Sequence, residues 1–156
     1  MSLEKDRTLI ELLLEEWKLL QSALNTLQLS ANKCQAIGQK ENYTFEDLES
    51  FDSLTSKFIR ASDIFTQKIM RTIWMLLHEP FVPFIDMMNK GEKMFLLHSA
   101  DSMIEIRDLR NQIAHEYIPE AISDLIPEVI EFSAELNNNI EFCRQFLEQR
   151  KWIKPA

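Results

Sequence analysis

Glycine is almost missing from this chain: among its 156 residues only Gly38 and Gly91 occur. Folds built from short strands draw on glycine for tight turns and bulges, so its scarcity argues against them. Both glycines fall between strongly periodic segments, where a helix C-terminus or turn uses them. Cysteine is equally sparse. Cys34 and Cys143 stand far apart, without a CxxC or Cys/His partner at ligand spacing, which excludes a disulfide framework and leaves two reduced structural thiols. His78, His98 and His115 form no HExxH or related pattern, so neither a metal nor another cofactor is indicated. Long apolar runs are lacking too. The densest, "LIELLLEEW" and "IWMLL", are short or broken by acids, and neither approaches the roughly 18 residues of a spanning helix. The N-terminus carries Glu4, Lys5, Asp6 and Arg7 in place of an apolar leader, and the expected setting is the cytoplasm, away from membranes. Positive charge is in deficit as well. A net charge of −8 opposes broad, nonspecific binding to nucleic-acid phosphates, though not a small basic pocket.

What is present points to one all-α domain over residues 1–156. With 46% hydrophobic and 27% charged residues the composition is that of a globular protein, and a compact domain of this length hides roughly 68–70% of the surface its unfolded chain exposes. Ile10, Leu13, Trp17, Leu20, Leu24 and Leu27 recur at three- and four-residue steps and predict a first helix over about 3–36. "GQKENYT" is a polar loop. Thr44, followed by Glu46 and Asp47, supplies a capping hydroxyl and acids at the positive start of a second helix. That helix reaches about Leu77 on a core stripe of Phe51, Leu54, Phe58, Phe65, Ile69 and Leu76. Pro80 and Pro83 in "HEPFVPF" end it. A short helix over 84–89 follows, ending near Gly91, with another turn or two in 92–98. Ser99 caps a helix over about 100–117, and Pro119 forces the chain out of it. Ile122, Leu125, Val129, Leu136, Ile140, Cys143 and Leu147 mark a last helix over about 120–150, with Pro127 as a candidate kink. The expected architecture is an antiparallel bundle of four long helices plus a short extra one.

Two features carry chemistry. On the second helix Lys57, Arg60, Lys68 and Arg71 fall within a narrow arc at 100° per residue, either as a solvated face or as a track for RNA phosphates. On the helix over 100–117, Met103, Ile106, Leu109, Ile113 and Tyr117 face the core, while Asp108, Asn111 and His115 cluster elsewhere and Arg107 and Arg110 flank the boundary. An arginine offers a rigid, permanently charged fork for phosphate oxygens, and a histidine, with an intrinsic pKa near 6.5, exchanges protons at neutral pH without a metal. Asn111 is placed to orient the imidazole or touch phosphate, and Asp108 to fix Arg110 or His115. The same placement also suits an ordinary helix C-terminus, whose dipole favours cations.

"RNQIAHEY" resembles the R-x4-H-x-Y signature of HEPN-domain proteins, in particular the HepT-like toxins of HepT/MntA toxin–antitoxin pairs. Arg110, Asn111, His115 and Tyr117 each match a position of that pattern, and the preceding "FIDMMNKGEKMFLLHSADSMIEIRDL" has the family's layout of short helix, turn and motif helix. The resemblance implies a helical homodimer with two Arg/His pairs facing a cleft, and metal-independent cleavage of RNA, tRNA among the candidates. Arg110 would then bind the scissile phosphate and His115 act as general acid or base, leaving a 2′,3′-cyclic phosphate. It also implies a separate MNT-type nucleotidyltransferase antitoxin that attaches AMP to Tyr117, against which the helical wheel places Tyr117 on the apolar side. The chain itself lacks that enzyme's Gly-Ser nucleotide loop, since Gly38 precedes Gln39 and Gly91 precedes Glu92. Two other functions remain open: a noncatalytic substrate-binding subunit of a two-component nucleotidyltransferase, and a plain helical interaction protein.

Overall fold

The computed structural model describes residues 3–155, and all regular structure among them is helical. Helix α1, Leu3–Ile37, buries Leu13, Trp17, Leu20, Leu27 and Cys34. It ends at Gly38, where φ is +69° and the N–H bonds back to the Cys34 carbonyl at 3.2 Å. This left-handed cap is the one place where glycine's freedom is used. Helix α2, Phe45–Asp63, opens with a capping box: Thr44 Oγ1 accepts from the Asp47 N–H, and the Asp47 carboxylate accepts from the Thr44 N–H, both at 3.0 Å. It passes without a break through a π-helical segment, Ile64–Ile69, into α3, Met70–Leu76. The expected stripe of Phe51, Leu54, Phe58, Phe65, Ile69 and Leu76 is buried throughout.

Helix α4, Phe84–Lys93, runs through Gly91 rather than ending before it. Gly91 is buried, and a Cβ there would lie 3.0 Å from Leu97 Cδ1; this glycine serves close packing. The left-handed residue at the end of α4 is instead Phe95, and no further helical turn forms over 92–98. Helix α5, Ala100–Ala114, is three residues shorter than expected. Helix α6, Pro119–Gln149, begins with Pro119 in its first turn, where a missing N–H costs nothing, and it continues as helix through Pro127.

Contacts fix the directions of packing. Thr72 donates to Glu16 at 2.6 Å while Cys34 bonds the Ser50 carbonyl at 3.3 Å, so α1 runs opposite to the α2–α3 rod. Arg144 donates to Gln21 at 3.1 Å, and Ile126 shares a cavity wall with Cys34, so α6 also opposes α1. A tight turn over 115–118 reverses α5 into α6. The result is a helical bundle of four long rods with α4 packed on α5, around one continuous apolar core. No helix among the described residues is long and apolar enough to cross a membrane.

Candidate functional site at the end of α5

The start of α5 is pinned to α6. Ser99 Oγ accepts from the Ser102 N–H at 3.1 Å. Fully buried Asn139 accepts the Ser99 N–H at 2.9 Å and donates to Ser102 Oγ at 2.8 Å and to the Glu135 carbonyl at 2.9 Å. Glu92 takes the Ala100 N–H at 2.9 Å. Met103, Ile106, Leu109 and Ile113 then fill the core, as the apolar spacing predicts. Arg107 and Arg110 are left half-buried at its edge, and Asp108, Asn111 and His115 are left exposed.

Arg110 is not a free cation. Its Nε and Nη2 donate to the two oxygens of Asp63 at 3.0 and 2.9 Å, a parallel two-bond clasp between the far end of α2 and the C-terminal half of α5. The hydrogen bond to Asp63 holds the guanidinium even further above its ordinary range, outweighing partial desolvation. Asp63 thus takes the place expected of Asp108, which lies 3.6 Å from Arg107 and pairs with neither Arg110 nor His115. A partner 47 residues away has no local signature. One signal was present nonetheless: Asp63 is the only acid between Asp52 and Glu79.

His115 is the C-cap of α5 (φ −100°), its N–H bonded to the Asn111 carbonyl and its ring in solvent. Tyr117 corrects the helical wheel. It is 87% exposed, because α5 stops at Ala114 and the wheel has no meaning over 116–118. The motif therefore divides: Arg110 is clasped within the fold, while His115 and Tyr117 project at the helix end. Asn111 is exposed beside them, with no side-chain partner among the described residues.

The π-helical segment between Arg60 and Arg71 takes more residues per turn than an α-helix, so a single wheel does not extend across it. Lys57 is half-buried and donates to Ser53 at 2.6 Å; Arg60 and Lys68 are exposed, and Arg71 lies over the Phe81 ring at 5.8 Å. Among the described residues no group of three or more His, Cys, Asp or Glu side chains is gathered as for a metal ion. Compared with known proteins, the chain matches no family model, no curated protein and no solved structure.

Proposed function

We propose that the protein is a metal-independent ribonuclease of the HEPN type, acting as the toxin partner of a nucleotidyltransferase. The observation that carries this is the spacing Arg110-x4-His115-x-Tyr117 together with the exposure of both His115 and Tyr117 at the end of α5. In the proposed reaction the ribose 2′-oxygen attacks the adjacent phosphorus and passes its proton to His115. The bond to the 5′-oxygen breaks, and that oxygen takes up a proton from water as it leaves, the resulting hydroxide recovering the proton held by His115, so the products are a 2′,3′-cyclic phosphate and a 5′-hydroxyl. Arg110 stabilises the charge developing on the phosphoryl oxygens. Asp63 occupies one edge of the guanidinium and leaves its outer N–H groups for that task, so the clasp fixes the aim of the fork.

A second copy of the chain would supply the other wall of the RNA cleft, with Arg60 and Lys68 as candidate phosphate contacts. The partner enzyme would act on Tyr117: its phenolic oxygen bonds to the α-phosphorus of ATP and pyrophosphate leaves. The added phosphate would then oppose the entry of an RNA phosphate by like charge. The alternative is a noncatalytic substrate-binding subunit of a two-component nucleotidyltransferase, in which Arg110 and His115 would hold an anionic ligand without cutting it.

The test is incubation of wild type and His115→Ala with a mixed tRNA pool in EDTA, followed by end-group analysis for 2′,3′-cyclic phosphate. A general acid–base group contributes on the order of 10²- to 10⁴-fold in rate, so the variant is expected to be nearly silent. Absence of cleavage by the wild type would overturn the ribonuclease and leave the binding subunit.

A further inference from the structure

The region where α4 ends beside the last turns of α6 combines three features that folding alone does not require. Phe95 adopts φ +62° as the left-handed residue of a Schellman turn, in which its N–H bonds the Glu92 carbonyl at 3.1 Å and the Leu96 N–H bonds the Gly91 carbonyl at 2.9 Å. His78 and Lys151 hold equivalent positions at φ +56° and +60°, but they are polar, and exposure costs them nothing. Phe95 carries the strain of a side chain in this region and is 76% exposed, so its ring gains little burial in return.

The second feature is a groove of about 580 Å³ walled by Phe95, Phe142, Phe146, Gln145, Gln149 and Arg150. Phe142 packs against the His98 ring at 4.9 Å, and Phe146 meets Trp152 edge-on at 6.2 Å. Gln145 and Gln149 lie one turn apart on the same face of α6 and offer amide donors and acceptors beside these rings. Arg150 lies 4.5 Å from the centre of the Phe146 ring and 5.4 Å from that of Trp152. The third feature is charge. In a protein of net charge −8, residues 149–154, "QRKWIK", carry Arg150, Lys151 and Lys154 with no acid, and Lys93 closes α4 beside Phe95. Among the described residues no carboxylate pairs with Arg150 or Lys151.

An exposed aromatic ring beside a half-buried one, amide edges and cations without a carboxylate partner are parts of a site for single-stranded nucleic acid, where bases stack on rings and phosphates meet cations. We propose that this groove binds one unpaired nucleotide of an RNA strand, its base against Phe95 and Phe142 and its phosphate at Arg150 and Lys151. The proposal rests on the reading of RNA as the substrate, and it adds a holding site at the opposite end of α5 from His115. At about 1.5 Å per residue, the 15 residues of that helix set the two roughly 22 Å apart, a span of a few nucleotides of an extended strand.

The experiment measures fluorescence anisotropy of a labelled 2′-O-methyl RNA oligonucleotide, which lacks the free 2′-hydroxyl needed for cleavage and so reports binding alone. The probe is titrated with wild type, Phe95→Gly and Arg150→Gln, and an abasic oligonucleotide of the same length serves as control. Phe95→Gly is expected to weaken binding at least about fivefold, from the stacking one aromatic ring contributes. It is also expected to raise the melting temperature by roughly 2–4 °C, since glycine relieves the positive φ; a ring with only a structural role would lower both. Arg150→Gln should weaken binding and flatten its salt dependence. Binding unchanged in Phe95→Gly, equal binding of the abasic strand, or a wild-type dimer that Phe95→Gly dissociates would each overturn the groove as a nucleotide site. Cleavage of unmodified RNA that depends on His115 is read separately, so the ribonuclease can stand where the groove fails.

Discussion

Arg110 and Asp63 are joined by two parallel hydrogen bonds, 3.0 Å from Nε and 2.9 Å from Nη2, that tie the end of α2 to the C-terminal half of α5. Both side chains are about one-quarter exposed, at 26% and 29%, so solvent screens the pair and its contribution to stability is set at about 1 kcal/mol. A double-mutant cycle of Asp63→Asn and Arg110→Gln, followed by urea unfolding, is expected to give a coupling energy near that value. If Asp63 aims Arg110 at a phosphate, Asp63→Asn will also lower the cleavage rate by on the order of tenfold or more while the protein remains folded. A stable Asp63→Asn that cuts at the wild-type rate would make the pair purely structural.

Asn139 decides whether the motif helix starts in the right place. Its amide satisfies the Ser99 N–H, the Ser102 hydroxyl and the Glu135 carbonyl, all within 2.8 to 2.9 Å, at a position with no solvent access. Asn139→Ala leaves the Ser99 N–H without its acceptor and opens a small void, so unfolding free energy should fall by about 2–3 kcal/mol. Amide hydrogen exchange should quicken first over residues 99–103, before the rest of the bundle responds.

Burial followed the sequence closely where helical spacing alone decides it. Leu13, Trp17, Leu20 and Leu27 in α1 and Ile122, Leu125, Val129, Leu136, Ile140, Cys143 and Leu147 in α6 recur on one face and are buried, with Ile10 and Leu24 half-buried beside them. Capping was equally local. Thr44 with Asp47, and Ser99 with Ser102, each bond across three residues. Three things escaped because their causes lie elsewhere in the chain. Gly91 is fixed by the nearness of Leu97, not by a turn. The π-helical segment over 64–69 has no composition that sets it apart from α-helix. Asp63 meets Arg110 only once α2 and α5 have packed, so the acid nearest in sequence, Asp108, drew the assignment that belongs to Asp63.

Tyr117 should be removable without structural cost. At 87% exposure on the stretch between α5 and α6 it packs on little, and Tyr117→Phe is expected to change stability by no more than about 0.5 kcal/mol. The phenol oxygen is nonetheless the acceptor in the proposed regulation. Incubation with a nucleotidyltransferase partner and labelled ATP should label the wild type and not Tyr117→Phe. Equal labelling of both would move the acceptor to another residue.

The two thiols predict how the fold responds to alkali. Burial raises the pKa of Cys34, with Lys33 and Lys57 opposing, and burial alone raises that of fully buried Cys143 much further. In the unfolded chain a thiol ionises near 8.5. Below that pH both states hold the neutral thiol and its full contribution is present. As pH rises towards the folded value, the unfolded state gains a thiolate that the native state refuses, and stability falls by about 1.4 kcal/mol per pH unit for each such group. Between pH 7 and pH 10, wild type is therefore expected to lose about 2 kcal/mol more than Cys143→Ala, read as the difference of their urea unfolding free energies. Reactivity gives a second readout. A thiol reagent at neutral pH should leave Cys143 untouched until the bundle unfolds globally, because this side chain has no solvent access and lies more than a turn inside the end of α6, beyond the reach of fraying of the last turn. Rapid labelling of Cys143 in the native state, or identical alkaline losses in the two proteins, would show that the core around this thiol opens far more readily than its burial implies.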